Sequence, residues 1–262
     1  MIALIRRNWQ MYRRYFPITL FINRVLDSSF QLIVLWLISH VLFSNEVAGP
    51  LFHGVDYFTY ATTGVLFYSL SITILMNVGR ALITEVREGT LTSLLITPYK
   101  IMHYYFGAFI EQFWRAIIEF FALFIISTFL GANLFSTSLQ KWGIGILFVS
   151  IVSFCMSVFL SNIMLMLRDT FISQNTLFIL MFLVSGVTFP REILPQWLQI
   201  IGDFIPMTQV LEVVRILNSP NYSISKAYSV ILIGIISSIF YFVIGILWYR
   251  KTEQKIIGYI FE

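Results

Sequence analysis

Cysteine, histidine and charge are all scarce in this sequence. Its 262 residues contain one cysteine, Cys155, and three scattered histidines, so they offer neither a disulfide framework nor a metal site of recognisable spacing. Charged residues make up 11% of the chain, against about 25% in an ordinary soluble domain. Hydrophobic residues reach 58%. This balance excludes a soluble enzyme and a disordered tail.

Sequence motifs for energy conversion and hydrolysis are also missing. No glycine is followed by lysine, so the phosphate-binding loop Gly-x-x-x-x-Gly-Lys-Ser/Thr does not occur. Gly-x-Ser-x-Gly, His-Glu-x-x-His and a set of paired aspartates are absent as well. We therefore expect no catalytic residue, no metal ligand and no cofactor on this chain. Any ATP must be hydrolysed by a partner.

The hydrophobic residues recur in runs long enough to cross a bilayer, which takes about 20 residues in a helix. A window of about 19 residues finds six such runs, at 26–43, 56–78, 112–135, 142–167, 171–189 and 228–249. They predict an all-α polytopic membrane protein with six transmembrane helices. No linker or repeat divides it, so we expect residues 1–262 to form a single transmembrane domain.

The placement of the basic residues indicates membrane topology and not nucleic-acid binding, although the net charge is +4. With a cytosolic N-terminus, 12 of the 17 Lys and Arg fall in cytosolic segments, 4 in external segments and Arg115 within the third span. The positive-inside rule therefore places both termini in the cytosol, with the protein in the cell membrane. Residues 1–24 carry an amphipathic repeat up to Phe16, which predicts an N-terminal interfacial helix. A plain extension of the first span is the alternative.

The loop between the second and third runs is too apolar for a simple linker. Residues 84–98 predict a short cytosolic helix, with Gly89 or Thr90 at its N-cap and Pro98 at its end. Leu91, Leu94 and Leu95 lie on one face of it. Such a face suits docking into a groove of another protein. The alternative is that the leucines pack under the helices of this chain.

Residues 190–226 are broken by prolines but stay apolar, so they predict short external or re-entrant helices between spans five and six. Irregular backbone at membrane depth needs protein or a water-filled cavity around it. A re-entrant lid over an exit path is the functional interpretation, and an outer cap that only stabilises a dimer is the alternative. The candidate gate residues are Pro190, Glu192, Pro195, Trp197 and Pro206.

A few polar side chains lie within the predicted spans. The candidates for lining a pathway are Thr62, Ser69, Asn77, Gln174 and Asn175. Small hydroxylated residues also join helices to one another, which is the competing interpretation. Glu111, Arg115 and Glu119 follow one another at intervals of four residues, so they predict a ladder of ion pairs along the third span.

Two motifs resemble those of a known family. Arg87-Glu88-Gly89-Thr90-Leu91, followed by Leu94, Leu95 and Pro98, resembles the cytosolic signature of ABC-2 type transporter permeases, bacterial exporters whose ATPase is a separate chain. The pattern after their fifth span resembles Ser185-Gly186, Phe189-Pro190, Leu194 to Leu198, Pro206 and Arg215 of this sequence. One departure is Thr92, where the family often has an acidic residue.

The resemblance implies the membrane subunit of an ATP-driven exporter. It would form the pathway with a second permease copy or a paralogue, within membrane lipid, while two ABC ATPase subunits bind ATP and Mg. The expected ATPase-coupling residues are Glu85, Arg87, Glu88, Gly89, Thr90, Leu91, Leu94 and Leu95. We expect a hydrophobic or amphiphilic substrate. Export of a lipid-linked polysaccharide or glycolipid is one alternative, and a membrane-embedded lipid-modifying transferase is another.

Overall fold

A computed structural model describes residues 18–42, 52, 54–91, 101–167, 171–218 and 224–261. The predicted interfacial helix falls mostly outside these residues, but its last part, 18–24, belongs to the first long helix.

Within the described residues the chain forms nine α-helices. They are α1 (Ile18–Leu42), α2 (Tyr57–Gly79), α3 (Ala81–Arg87), α4 (Ile101–Phe129), α5 (Leu139–Leu167), α6 (Phe171–Val184), α7 (Gln196–Asp203), α8 (Pro206–Asn218) and α9 (Ile224–Phe261). Two 3₁₀ turns, Leu134–Ser136 and Arg191–Ile193, lie before α5 and α7.

Helices α2 and α3 form a nearly continuous rod. The Asp56 side chain caps the start of α2 by accepting a hydrogen bond from the Thr59 amide at 2.9 Å. At the other end, the Arg80 amide donates to the Met76 carbonyl, and the Thr84 amide donates to the Arg80 carbonyl, both at 3.0 Å. Arg80 alone separates the two helices, and its backbone stays in the right-handed helical region, with φ of −84° and ψ of −5°. A straight helix of residues 57–87 would span about 46 Å.

The core of the bundle surrounds α2, which packs against α1, α4, α5 and α8, while α5 also joins α8 and α9. At its centre the Phe67 ring stacks on Trp142, with the ring centroids 5.5 Å apart, and meets Phe120 edge to face. The candidate span Tyr57–Arg87 is 78% buried, but Ile22–Val41 and Ala227–Tyr249 are only 11% and 17% buried. The apolar sides of α1 and α9 therefore face outward, as expected for surfaces that meet lipid or another chain.

Four described helices are long and apolar enough to cross a membrane: Ile22–Val41, Tyr57–Arg87, Leu139–Leu167 and Ala227–Tyr249. They correspond to the first, second, fourth and sixth predicted spans. The all-helical membrane class is thereby confirmed, while the count of six spans stays a prediction.

The other two predicted spans have different bounds in the structure. The predicted run 112–135 lies in α4, which has 29 residues and ends at Phe129. The predicted run 171–189 is α6, which has only 14 residues because a turn follows Val184. The sequence window did not detect this turn because residues 185–189 carry no charge and include the hydrophobic Val187 and Phe189.

The approach of the chain after α6 to α2 requires a glycine at position 64. A Cβ built there would lie 2.0 Å from the Val187 carbonyl oxygen, which is far inside van der Waals contact. We predict that Gly64→Ala lowers the unfolding free energy of the purified protein by about 1–3 kcal/mol, the usual range for overpacking. Thermal unfolding in detergent measures this change.

Gly143→Ala is the matched control, since position 143 is also helical and a Cβ there meets nothing within 4 Å. Alanine should leave the midpoint there unchanged or slightly raised, because it favours a helix by roughly 0.5–1 kcal/mol over glycine. Equal midpoints for the two variants would contradict the packing argument.

Candidate functional site

The first half of the predicted helix 84–98 is the end of the rod, and a turn closes it. The Gly89 amide donates to the Val86 carbonyl at 3.2 Å, and the Thr90 amide donates to the Glu85 carbonyl at 3.0 Å. With φ of +69° at Gly89, these bonds form a Schellman motif, the C-terminal cap that favours glycine. Gly89 therefore ends α3, and Leu91 is again helical, so the predicted helix that starts at Gly89 or Thr90 stays a prediction.

Glu85 is buried beneath this turn. Its side chain accepts hydrogen bonds from the Thr90 hydroxyl and, at 3.0 Å, from the Tyr104 hydroxyl of α4. A buried carboxylate needs such donors, because it has left water. Glu85 is thus positioned to hold the turn against α4 and not to present its own charge outward.

The other residues expected to couple to an ATPase are arranged on two sides of the turn. Four of them, Arg87, Glu88, Gly89 and Thr90, are exposed. Leu91 is 6% exposed and belongs to the hydrophobic core. This agrees with the alternative interpretation in which a leucine packs under the chain's own helices. Leu94 and Leu95 lie outside the described residues.

A cavity of about 430 Å³ lies between α1, α2, α4 and α6 and is called here the α1/α2 cavity. Its polar residues on α1 are Arg24, Asp27, Ser28 and Gln31, and those on α2 include Ser69, Thr73 and Asn77, with Arg80 directly after α2. Two predicted pathway residues, Ser69 and Asn77, are among them. Cavities of this size are typical of small-molecule sites, which run from about 300 to 1,000 Å³.

The other three pathway candidates are not seen in this wall. Thr62 is fully buried between helices, which agrees with the alternative that hydroxyl residues lie at helix contacts. Gln174 and Asn175 belong to α6, but their side chains lie outside those described.

A chain of polar contacts follows the wall of the α1/α2 cavity. Glu119 lies 3.9 Å from the Arg24 guanidinium and accepts a hydrogen bond from Thr73 at 3.2 Å. The Asn77 amide donates to the Thr73 carbonyl at 2.7 Å, and Arg80 donates to the Asn77 side-chain oxygen at 2.6 Å. These bonds join α1, α2 and α4.

The predicted ion-pair ladder along α4 is therefore present only in part. Arg115 pairs with Glu111, as expected for residues four apart. Glu119 instead turns toward Arg24 and Thr73 on the neighbouring helices. Sequence spacing finds partners on one helix, but it could not find those that packing brings from other helices.

Hydrogen bonds between its own polar groups hold together the segment after α6, residues 185–215. Arg191 donates to the Asp203 carboxylate at 2.5 Å and to the Gln199 carbonyl at 3.0 Å. The Thr208 hydroxyl donates to the Gly202 carbonyl at 2.7 Å. Its short helices are therefore held as one folded unit.

The five candidate gate residues lie on different sides of this unit. Pro190 and Pro206 are buried, where each precedes a helical turn or begins a helix. Glu192, Pro195 and Trp197 are exposed, and the Trp197 side chain is 62% exposed. An exposed tryptophan on an apolar helix is typical of a membrane interface.

Arg215 attaches this segment to α2. Its guanidinium donates to the carbonyl of Gly186 and, at 3.2 Å, to that of Val187, while it lies 4.2 Å from the centre of the Tyr60 ring. The α6 end is a second Schellman motif, in which the Gly186 amide donates to the Leu183 carbonyl and the Val187 amide donates to that of Phe182. We call this contact the Arg215 clamp.

Sequence reasoning had treated Arg215 only as part of a motif. Its position in a predicted external segment that is largely apolar was the available signal, because a buried cation needs specific partners. Burial also raises the pKa of the Glu212 carboxyl in α8, although the nearby Arg191 guanidinium opposes this shift.

The described residues include no group of three or more His, Cys, Asp or Glu that could hold a metal ion. Long apolar helices, a buried central rod and a polar cavity beside it define a multi-pass membrane protein with a cavity suited to a small ligand. Residues 1–219 match the ABC-2 type transporter family. This match covers most of the chain, so the protein belongs to that family and is an ABC-2 type membrane permease. Comparison with curated proteins gives no match.

We predict that Tyr104→Phe loosens the turn at residues 88–90, since it removes a donor to the buried Glu85. Loss of one such hydrogen bond is worth roughly 1 kcal/mol, so the open population should rise about fivefold. Limited tryptic cleavage after the exposed Arg87 should accelerate by the same factor, because proteolysis follows that population. Tyr228→Phe, at a tyrosine that is 63% exposed, is the control, and cleavage that is equally fast in both variants would refute the anchoring role.

For the Arg215 clamp, we predict that Arg215→Met lowers the unfolding free energy by about 1–3 kcal/mol, because buried carbonyls lose their donor. Arg215→Lys should lower the unfolding free energy by a smaller amount, since an ammonium group keeps the charge but lacks the planar set of donors of a guanidinium. Chemical denaturation in detergent measures both. Arg87→Met removes an exposed arginine and should have little effect. The clamp is ruled out if Arg87→Met and Arg215→Met lose equal stability.

Proposed function

We propose that this permease is the membrane subunit of an ATP-driven exporter and is coupled to a separate ATPase. A hydrophobic or amphiphilic substrate would pass beside α2. The observation that carries this proposal is the nearly continuous rod of residues 57–87, in which only Arg80 separates two helices. It connects the wall of the α1/α2 cavity directly to the exposed turn at 87–90.

The rod provides a mechanical path from one end to the other. A force on the turn at 87–90 would reach the cavity wall without passing through a loop, since only Arg80, whose backbone is in the right-handed helical region, separates α2 from α3. The burial of Glu85 favours this role, because it prevents the turn from yielding separately from α4. ATP-driven closure of two partner ATPases, each with its own ATP and Mg, would move two such rods together.

The complete exporter would contain a second permease copy or a paralogue, with six spans per permease and both termini in the cytosol. Tilting of α1, α2 and α6 would open the path outward. The segment 185–215 would act as the outer lid, with its exposed Trp197 at the membrane surface. Substrate must bind the two states with different affinity for this movement to be useful.

The test is charge reversal on the exposed turn. We predict that Arg87→Glu combined with Glu88→Lys reduces the amount of co-expressed ATPase that copurifies with the permease at least tenfold, because misplaced charges in an interface cost several kcal/mol. Leu94→Asp with Leu95→Asp should have the same effect if these residues belong to the same surface. Substrate-stimulated ATP turnover in proteoliposomes should fall in parallel.

Lys251→Glu is the matched control, since Lys251 is exposed on α9, at the other end of the sequence. It should leave assembly and turnover unchanged. If both turn variants assemble normally and hydrolyse ATP at the wild-type rate, the proposed coupling surface is wrong. Full transport by the permease without any partner would refute the whole assignment.

A further inference from the structure

The α1/α2 cavity contains a cation whose charge is not neutralised by any carboxylate that the structure describes. Arg80 is partly buried and donates one hydrogen bond, from Nη2 to the Asn77 side-chain oxygen. Among the described residues it forms no ion pair within 4 Å. A guanidinium has five N–H donors, so most of its capacity remains available to a ligand.

The two acidic residues of the same cavity do not neutralise the positive charge of Arg80. Glu119 is engaged by Arg24 at 3.9 Å and by Thr73. Asp27, which is exposed on α1, forms no ion pair with either arginine in the described part of the chain. The positive end of the cavity therefore lies where Arg80 and Arg24 converge.

The remainder of the cavity wall combines apolar side chains with uncharged polar ones. Along one stripe of α2, Val65, Ile72 and Met76 alternate with the polar residues, and Phe178 of α6 closes the same wall. An arginine at one end of the cavity and apolar side chains along its wall fit a molecule with an anionic head and a hydrocarbon body. Arginine binds phosphate and carboxylate through paired hydrogen bonds, which adds geometric selectivity to charge attraction.

We propose that the α1/α2 cavity binds an amphiphile with an anionic headgroup, held by Arg80 and assisted by Arg24. This inference specifies the class of substrate of the proposed exporter. Its binding part is independent of that function, and only its transport part rests on it. The same headgroup chemistry belongs to a bilayer lipid that resides in the cavity and to a transported cargo. Both would place the anionic group beside Arg80.

Binding is tested on the permease alone, by native mass spectrometry in a neutral detergent. The probes are phosphatidylglycerol and phosphatidylcholine with identical acyl chains, titrated against the full-length protein. We expect phosphatidylglycerol to bind at least tenfold more tightly, since a hydrogen bond to a charged group is typically worth that factor or more. Equal affinity for the two lipids would overturn the proposal.

Three variants locate the site. Arg80→Gln should abolish the preference for phosphatidylglycerol, Arg80→Lys should retain part of it, and Lys251→Gln, which removes one exposed positive charge elsewhere, should leave it unchanged. If Arg80→Gln does not fold, Ser69→Phe fills the cavity without changing charge and should remove binding as well. A folded Arg80→Gln or Ser69→Phe protein with wild-type selectivity would refute the site.

A second arm separates the two sources of the headgroup. The permease is reconstituted with its ATPase, and ATP-dependent movement of fluorescent phosphatidylglycerol between leaflets is followed by dithionite quenching. Movement that requires Arg80 identifies the anionic amphiphile as cargo, whereas selective binding without movement identifies a resident lipid. Failure to assemble with an ATPase would contradict the proposed exporter while the binding result still stands.

Discussion

Backbone groups that leave a helix inside an apolar bundle must find partners within the protein, and this constraint explains much of the structure. Where α6 ends, the carbonyls of Gly186 and Val187 receive the Arg215 guanidinium. That arrangement requires a glycine at position 64, because the Val187 carbonyl lies against α2. The early end of α6 leaves two carbonyl groups without helical partners. The glycine at position 64 of α2 lets them approach, and the buried Arg215 of α8 donates hydrogen bonds to them.

Helix α2 connects the features that bear on function. Its first half contacts the Arg215 clamp through Tyr60 and Gly64, and its second half forms one wall of the α1/α2 cavity. Through Arg80 it continues into α3, and there Glu85 ties the closing turn to α4. A single buried rod therefore links the broken segment at 185–215, the α1/α2 cavity and an exposed turn. We therefore expect movement of one of these parts to displace the other two.

The candidate site could be predicted only where the signal was local. Ser69 and Asn77 were recognised as polar residues in an apolar run, and both line the cavity. Glu85 was expected among the residues that couple to an ATPase, but its side chain is buried and accepts a hydrogen bond from Tyr104, nineteen positions away in sequence. Glu119 was assigned to a partner on its own helix but contacts Arg24 and Thr73 instead. These misses share one cause, because spacing describes neighbours along a helix and not those that packing brings from elsewhere.

The sequence alone established the membrane class, the absence of an ATP-binding loop, the family resemblance and the broken segment after residue 190, since each depends on composition, periodicity or short motifs. Only the tertiary structure decided where α6 stops, which face of each helix is buried, and that Arg215 reaches back to Gly186. The physical reason is that an apolar run shows what must leave water, whereas hydrogen-bond partners at membrane depth depend on which helices lie side by side.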